Sequence, residues 1–144
     1  MECAVRPAVL GDCLAITRLN REELGYDYPQ EKTFAKLQVC LANPAHAVFV
    51  AERGGEVVGY LHLEEYDVLY AGHMVNVLGI AVSSACRQGV GRALLAAGEA
   101  WARSQGAEAV RLVSGESRKG AHAFYASLGY TGNKLQRNFK KNLT

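Results

Sequence analysis

Residues 74–95 constrain the fold more than any other part of the chain. Met74–Val82 has the composition of a strand, and Val90–Gln105 has the spacing of a helix that ends before Gly106. A short loop joins the two, so a strand runs almost directly into a helix. Such a unit is typical of domains in which helices cover a sheet. The predicted buried face of the helix comprises Leu94, Leu95, Gly98, Trp101 and Ala102.

The same junction is a candidate anion site. The first N–H groups of a helix have no partner within the helix, and the helix dipole favours negative charge beside them. Gly89 and Gly91 lack the Cβ atoms that would keep a phosphate away, and Arg87 and Arg92 add positive charge. A tight strand-to-helix turn without a ligand explains the glycines equally well. A dinucleotide fingerprint is excluded because its third glycine would fall at Leu94. A P-loop is excluded because Gly91 is followed by Arg92-Ala93 instead of Lys-Ser/Thr.

Other local signals complete a predicted order β-α-α-β-β-β-α-β-α-β, an α/β or α+β layer architecture with a mixed sheet. Gly54-Gly55 between two β-rich runs favours a tight antiparallel hairpin. Gly79 inside a strand marks a bulge, which would splay the strand from its neighbour and open a slot ending at the anion site. The remaining predicted helices are Asp12–Leu24, with Asp12 as N-cap and Gly25 as stop, Glu31–Ala42, with Phe34, Leu37 and Leu41 on one stripe, and Gly120–Leu128, ended by Gly129. The remaining predicted strands are 2–6, Ala47–Ala51, Val57–Leu63, Ala109–Val113 and Tyr130–Phe139.

Length and composition predict one globular domain over residues 1–144, with 49% hydrophobic and 21% charged residues. No apolar run approaches the ~20 residues of a membrane span, and the N-terminus lacks the pattern of a signal peptide. The histidines share no metal-ligand spacing with the cysteines, so no metal is expected. The cysteines are expected to be reduced in a cytoplasmic protein; they are Cys3, Cys13, Cys40 and Cys86.

Charge is divided unevenly along the chain. Residues 1–67 hold six basic and eleven acidic side chains, a net charge of −5, and residues 68–144 hold ten basic and three acidic ones, a net charge of +7. Two explanations fit this uneven division equally well. One is chance together with a solvated surface, and the other is an anionic ligand bound by the second half and a cationic ligand bound by the first. Nucleic-acid binding is not supported, because the basic tail is without the aromatic interleaving of an RNA-binding platform; its cations are Lys134, Arg137, Lys140 and Lys141.

Two motifs resemble those of the GNAT (Gcn5-related N-acetyltransferase) superfamily. Arg87–Leu95 is similar to the acetyl-CoA pyrophosphate loop of that family, R/Q-x-x-G-x-G/A. Residues 114–118, followed by Ala121–Tyr125 and Leu128–Tyr130, resemble its A-x-x-F/L-Y-x-x-x-G-F/Y element. The resemblance covers nearly the whole chain. It implies a mixed, largely antiparallel central sheet with a bulged, splayed middle strand and helices on both faces.

The resemblance also implies a place for acetyl-CoA, in a V-shaped opening after the bulged strand. The backbone of Ile80 and Val82 would pair with the pantetheine arm, and Arg118 would belong to the same cofactor site. Tyr125 would lie near the thioester sulfur as general acid, although a helix tyrosine with a solvated hydroxyl is the plainer interpretation. The pyrophosphate would be cradled by Arg87, Gln88, Gly89, Val90, Gly91 and Arg92.

The activity implied is direct transfer of an acetyl group from acetyl-CoA to a primary amine of a small cationic molecule, in a ternary complex. Met74–Val82 contains no carboxylate, so the candidates for a general base are His73 and Glu65, with Glu64 and Asp67 as alternatives. The other alternative is that no strong base exists and that the small neutral fraction of the amine reacts. The amine would be bound by Tyr26 and Tyr28, beside the acids at the end of the first helix, and by Asn76 of the strand. An exposed acidic helix end with tyrosines that pack as a lid explains this loop equally well. Two alternatives remain, a non-catalytic acyl-CoA-binding or sensor module and a peptide or protein N-acetyltransferase. The implied partner is a small-molecule amine, without nucleic acid or membrane, and the assembly could be a homodimer.

Overall fold

A computed structural model describes residues 2–132 and 134–144 of the chain. The contacts within it define two compact units, Met1–Leu112 and Val113–Thr144. In the described residues, the first unit contains the sheet and three α-helices, and the second contains one α-helix. The expectation of a single domain over residues 1–144 stays a prediction.

The first unit is built on a sheet whose strands lie side by side in chain order. The first four strands pair antiparallel, and the fifth runs parallel to the fourth. The turn of the predicted hairpin is made by Gly54 and Gly55, at φ 62° and 79°, which only glycine adopts without steric cost. The expected mixed, largely antiparallel sheet is confirmed. The strands are β1 (Ala4–Pro7), β2 (His46–Arg53), β3 (Glu56–Tyr66), β4 (Met74–Val82) and β5 (Ala109–Arg111).

Helices cover both faces of this sheet: α1 (Cys13–Leu24) and α2 (Gln30–Ala42) one face, and α3 (Val90–Ser104) the other. Successive residues of a strand point to opposite faces. Accordingly, Tyr60 reaches Asn20 of α1, whereas Leu61 packs against α3. A Cβ built on Gly98 would lie 2.8 Å from Cδ2 of Leu61, so glycine is what allows α3 to approach β3 this closely. The predicted helices on both faces are confirmed.

A β-bulge interrupts β4, as the glycine in that strand predicted. His62 of β3 lies opposite Gly79, but Leu63 lies opposite Val77, so Leu78 has no partner in β3. Leu78 is also 46% exposed. The bulge therefore places an extra residue in the middle of the strand that leads to the glycine loop.

The side chain of Asp12 does not cap α1. Asp12 precedes the helix as predicted, but no hydrogen bond joins its side chain to the first turn. Its carboxylate instead accepts bonds from Arg6 at 2.8 and 2.9 Å and from the N–H of Val9 at 2.8 Å. The carboxylate is buried, and these bonds to Arg6 hold its pKa below the usual range. Asp12 is therefore the N-cap residue, as predicted, but its carboxylate binds Arg6 and Val9 instead of the first turn of the helix.

The buried stripe of α2 also differs from the prediction. Leu37 is buried as expected, but Phe34 is 42% exposed and Leu41 is 39% exposed. The inner face instead passes through Thr33 and Cys40. Both stripes have helical spacing and share Leu37, so spacing alone does not distinguish them.

The second unit contains α4 (Lys119–Ser127), which is followed by Gly129 at φ 95°, as the glycine predicted. The predicted strand Tyr130–Phe139 is wrong for the described residues, since 130–132 and 134–144 form neither strand nor helix. Leu135 and Phe139 are 79% and 88% exposed. A strand is stabilised by a paired neighbour and a buried face, and these apolar side chains have no such face.

Candidate functional site

The connection between β4 and α3 presents unpaired main-chain donors. The first intrahelical bond of α3 runs from the N–H of Ala93 to the carbonyl of Gly89. Gly89 has φ 76°, where an L side chain is strained even though a Cβ would meet no atom within 4 Å. Together with the positive end of the helix dipole, the free donors make a site suited to an anion. In the described part of the chain, no hydrogen-bond acceptor is found for the N–H groups of Arg87, Gln88, Gly89, Gly91 and Arg92.

Two side chains far away in sequence hold this connection in place, and no sequence motif indicated either of them. Nη2 of Arg53, at the end of β2, donates a 2.8 Å hydrogen bond to the carbonyl of Gln88. Oε2 of Glu23, in the last turn of α1, accepts a 3.0 Å bond from the N–H of Ser84. Glu23 also lies 3.9 Å from Nη2 of Arg87. A local sequence pattern cannot predict such contacts, because they form only when the β2–β3 hairpin and α1 pack next to the loop.

One edge of β4 is open beyond its first residues. β5 pairs only with Met74–Asn76. From Val77 onward, the described residues provide no strand on that side, while β3 continues to pair with the other side as far as Val82. Ile80 and Val82, predicted to bind through their backbone, lie on this open stretch. The unpaired edge leads directly into the loop with the free N–H groups.

A polar cluster lies between β3 and α1, beside the bulge. The hydroxyl of Tyr60 donates a hydrogen bond to Oδ1 of Asn20, and a Cβ on Gly79 would lie 3.5 Å from that hydroxyl. Burial, reinforced by the nearby Tyr26 hydroxyl, raises the pKa of Tyr60 to about 12, so its phenol stays neutral. Tyr26 itself is 65% exposed. The predicted acceptor residue Tyr26 therefore lies next to the cluster that adjoins the bulge.

The other two predicted acceptor residues each have a cationic neighbour. Oδ1 of Asn76 accepts a 2.8 Å bond from Arg111, whose guanidinium lies 4.4 Å from the ring centre of Tyr66. Nζ of Lys36 lies 5.9 Å from the ring centre of Tyr28. The Tyr28 ring is thus placed to attract a cation, whereas Asn76 is already engaged by one.

The two predicted base candidates form a single pair. Nε2 of His73 donates a hydrogen bond to Oε2 of Glu65. This bond raises the pKa of His73, and the pair lies at the end of β3 and the start of β4, since Glu65 is opposite Val75. Val75 is four residues from Gly79, or roughly 13 Å along an extended strand. At this distance, the pair could exchange a proton with a ligand at the open edge only through a chain of water molecules.

The second unit brings Arg118 and Tyr125 together. Burial raises the pKa of the Tyr125 phenol, and the positive charge of Arg118 opposes that shift. The ring of Tyr125 packs at 5.4 Å from that of Phe124 and at 6.1 Å, edge-on, from that of Tyr130. Arg118 precedes α4, and its carbonyl accepts the N–H of His122. A half-buried, neutral phenol beside a guanidinium is suited to donating a proton to a thiolate.

The sequence profile of the acetyltransferase (GNAT) family matches residues 13–130. The matched region contains the β4–α3 loop and α4 with its tyrosine. The chain belongs to the GNAT acetyltransferase family. As a member of the GNAT family, it is an acetyl-CoA-dependent N-acetyltransferase. No curated protein matches the sequence.

Solved structures share the GNAT fold of this chain at low sequence identity. One, the aminoglycoside acetyltransferase AAC(6')-Iy in complex with a bisubstrate analogue of CoA, is 19% identical with a TM-score of 0.87, over 99% of each chain. A second, AAC(6')-IG from Acinetobacter haemolyticus, is 18% identical with a TM-score of 0.82, over 98% of this chain and 99% of its own. A third, a transcriptional regulator from Bacillus halodurans C-125, is 21% identical with a TM-score of 0.83, over 96% of this chain and 100% of its own. These likenesses establish the fold.

Within the described residues, no helix combines the length and the apolar character needed to cross a membrane.

Proposed function

We propose that this GNAT enzyme transfers the acetyl group of acetyl-CoA directly to a primary amine of a small cationic molecule, within a ternary complex. The observation that carries the proposal is the open edge of β4, which runs into a loop with free N–H groups. Among the described residues, the edge has unpaired backbone from Val77, and the loop offers donors as far as Arg92. An extended amide-containing arm that ends in a pyrophosphate fits this sequence of binding groups.

The residues of the first unit suit the cofactor in chemistry as well as in layout. We assign the backbone of Ile80 and Val82 to the pantetheine arm, because strand-like pairing needs an unpaired strand edge. The loop donors and the side chains of Arg87 and Arg92 are assigned to the pyrophosphate, which the positive end of α3 also attracts. Gly89 carries no Cβ that could block this approach. Arg118 of the second unit is the further cationic group assigned to the cofactor.

The chemical step needs few side chains. The neutral amine forms a bond to the thioester carbonyl carbon, the carbon–sulfur bond breaks, and a backbone N–H can stabilise the oxyanion that develops between these events. The leaving thiolate takes a proton, which we assign to Tyr125. Since burial raises the pKa of this phenol, it is protonated and able to donate at neutral pH. No covalent intermediate on the enzyme is required.

The proton lost by the amine is assigned to the His73–Glu65 pair. Glu65 accepts a hydrogen bond from His73, and this bond raises the pKa of His73. A neutral imidazole can accept a proton, and the carboxylate beside it stabilises the imidazolium that forms. Because the pair lies roughly 13 Å along the strand from the bulge, the transfer requires a chain of several water molecules.

A cationic acceptor is supported by the surface at the α1–α2 turn. Tyr26 and Tyr28 are 65% and 40% exposed, and Asp27 between them is also exposed. Lys36 beside the Tyr28 ring illustrates that this ring attracts an ammonium group. Some solved structures that share the fold are named aminoglycoside 6'-N-acetyltransferases, which directs the choice of amines to test.

A panel of amines, assayed by release of free CoA from acetyl-CoA, tests the proposal. The panel contains aminoglycosides, polyamines, amino acids, and peptides with a free N-terminus or lysine. Matched neutral compounds, with hydroxyl groups in place of the amines, serve as controls. We expect turnover of a small polycationic amine and none of its neutral match. Tight CoA binding without turnover of any amine would favour the sensor module, and turnover of peptides alone would favour a protein acetyltransferase.

A further inference from the structure

Two histidines and a cysteine meet on the α2 side of the sheet, although they are far apart in sequence. Cys40 lies near the end of α2, His46 begins β2, and His62 lies in β3. The register pairs His46 with Glu64 and Val48 with His62, so the histidines are diagonal neighbours on one face of the hairpin. Spacing along the chain predicted no metal ligands, because this set is assembled only by strand pairing and by the packing of α2.

The side chains approach one another closely. Nδ1 of His46 and Nε2 of His62 are 2.9 Å apart, and their rings stack with centres 5.1 Å apart. One donor atom from each of Cys40, His46 and His62 lies within 4.8 Å of the others, and all three residues are partly buried. Ligand atoms around a tetrahedral zinc ion lie roughly 3.3–3.7 Å apart, from zinc–nitrogen and zinc–sulfur bonds of about 2.1 and 2.3 Å. Side-chain rotations that move the donor atoms by about 1 Å therefore bring them to the spacing of a zinc ligand set.

We propose that Cys40, His46 and His62 bind a zinc ion, with a water molecule in the fourth position. A thiolate and two imidazoles match the preference of zinc for sulfur and nitrogen ligands. The site ties the end of α2 to the β2–β3 hairpin and is independent of acetyl transfer.

Glu64 is a positioning residue for the site. Its Oε2 lies 3.9 Å from Nε2 of His46, the ring nitrogen that faces away from His62. When Nδ1 binds the metal, the remaining proton of His46 resides on Nε2, and the carboxylate can accept a hydrogen bond from it. Such an outer carboxylate fixes the ring orientation and typically contributes 10- to 100-fold to metal affinity.

The test uses the full chain without an affinity tag, stripped of metal and titrated with Zn²⁺ against a chromophoric chelator. We expect one zinc per chain, and with Co²⁺ the charge-transfer band of a thiolate ligand together with tetrahedral d–d bands. Cys40→Ser and His62→Gln should abolish both signals, and Glu64→Gln should lower zinc affinity roughly 10- to 100-fold. Cys3→Ser is the matched control and should bind like the wild type. A cobalt complex without a thiolate band, or unchanged zinc binding by Cys40→Ser, would overturn the proposal.

A measurement on the unaltered protein covers the case in which the variants fail to fold. Cys40 is a free, partly exposed thiol, and Cys3 has the same burial class. Alkylation of each cysteine, followed by mass spectrometry, reports how accessible its sulfur is with and without Zn²⁺. We expect Zn²⁺ to slow alkylation of Cys40 but not of Cys3. Equal rates for Cys40 with and without the ion would also overturn the proposal.

Discussion

Nη2 of Arg53 donates a 2.8 Å hydrogen bond to the carbonyl of Gln88, joining the end of the β2–β3 hairpin to the β4–α3 loop. In a trans peptide unit, the carbonyl of one residue and the N–H of the next point in opposite directions. A carbonyl of Gln88 turned toward Arg53 therefore turns the N–H of Gly89 away from it. Arg53 thus orients a loop donor without itself belonging to the loop.

Replacing Arg53 should weaken cofactor binding through this orientation. For Arg53→Leu, we expect CoA affinity to fall about fivefold, the value of one hydrogen bond of about 1 kcal/mol, in isothermal calorimetry. Arg21→Leu, an exposed site on α1, removes the same charge and serves as the control. Equal losses in both variants would mean that Arg53 acts only through its charge.

Tyr125→Phe should lower turnover while leaving cofactor binding nearly unchanged. The substitution removes the proton that the thiolate would receive, and general acids typically contribute about a hundredfold or more to rate. Steady-state assays with the amine found in the panel give kcat, and calorimetry gives the affinity for CoA. Tyr70→Phe, at a residue that is 82% exposed, is the matched control. Undiminished turnover by Tyr125→Phe would remove this residue from the mechanism.

The rate should rise with pH through the pKa of His73 if the His73–Glu65 pair accepts the amine proton. A base must be deprotonated to act, and the bond from His73 to Glu65 raises the His73 pKa above 6.5. The rising limb of the kcat profile should therefore lie above pH 6.5. Because Glu65 is the main cause of that shift, Glu65→Gln should move the limb toward lower pH, and His73→Gln should abolish it. A profile that neither variant changes would exclude the pair as the base.

Gly98→Val should destabilise the first unit. A Cβ at this position would already lie 2.8 Å from Leu61 and 3.1 Å from Leu63, so the larger side chain forces α3 away from β3. Overpacking of this kind costs about 1–3 kcal/mol in the free energy of unfolding, measurable by urea denaturation. Ala96→Val, on the exposed side of the same helix, makes a β-branched residue without the clash. Equal stability of the two variants would contradict the close approach of α3.

Local signals were sufficient to predict most of the first unit. Gly54, Gly55 and Gly89 have positive φ angles that few other residues adopt, and they predicted the hairpin turn and the helix start. Gly79 predicted the bulge, which lies next to it in β4. The buried face of α2 was mispredicted because two stripes of equal spacing compete. Tyr130–Phe139 was mispredicted as a strand because strand formation depends on a partner, which a local pattern does not contain.

The residues of the candidate site likewise fall into two groups, those that a local pattern predicts and those that depend on contacts between distant elements. Loop residues next to one another in sequence could be predicted from the glycine motif. Arg53 and Glu23 could not, since each reaches the loop from a different element. The cluster of Cys40, His46 and His62 likewise depends on the register of a hairpin and the placement of a helix. Neither kind of contact leaves a recognisable spacing in the sequence.

The extra residue in β4 also changes the face of the sheet on which each later residue lies. Val75 and Val77 lie on the α3 side, whereas Gly79 and Ala81, in the same odd-numbered series, lie on the α1 side. The odd-numbered residues of β4 therefore face α3 before the bulge and α1 after it. Deleting Leu78 would make Val77 and Gly79 neighbours opposite Leu63 and His62, so the bulge would disappear while the remaining side chains keep their present faces.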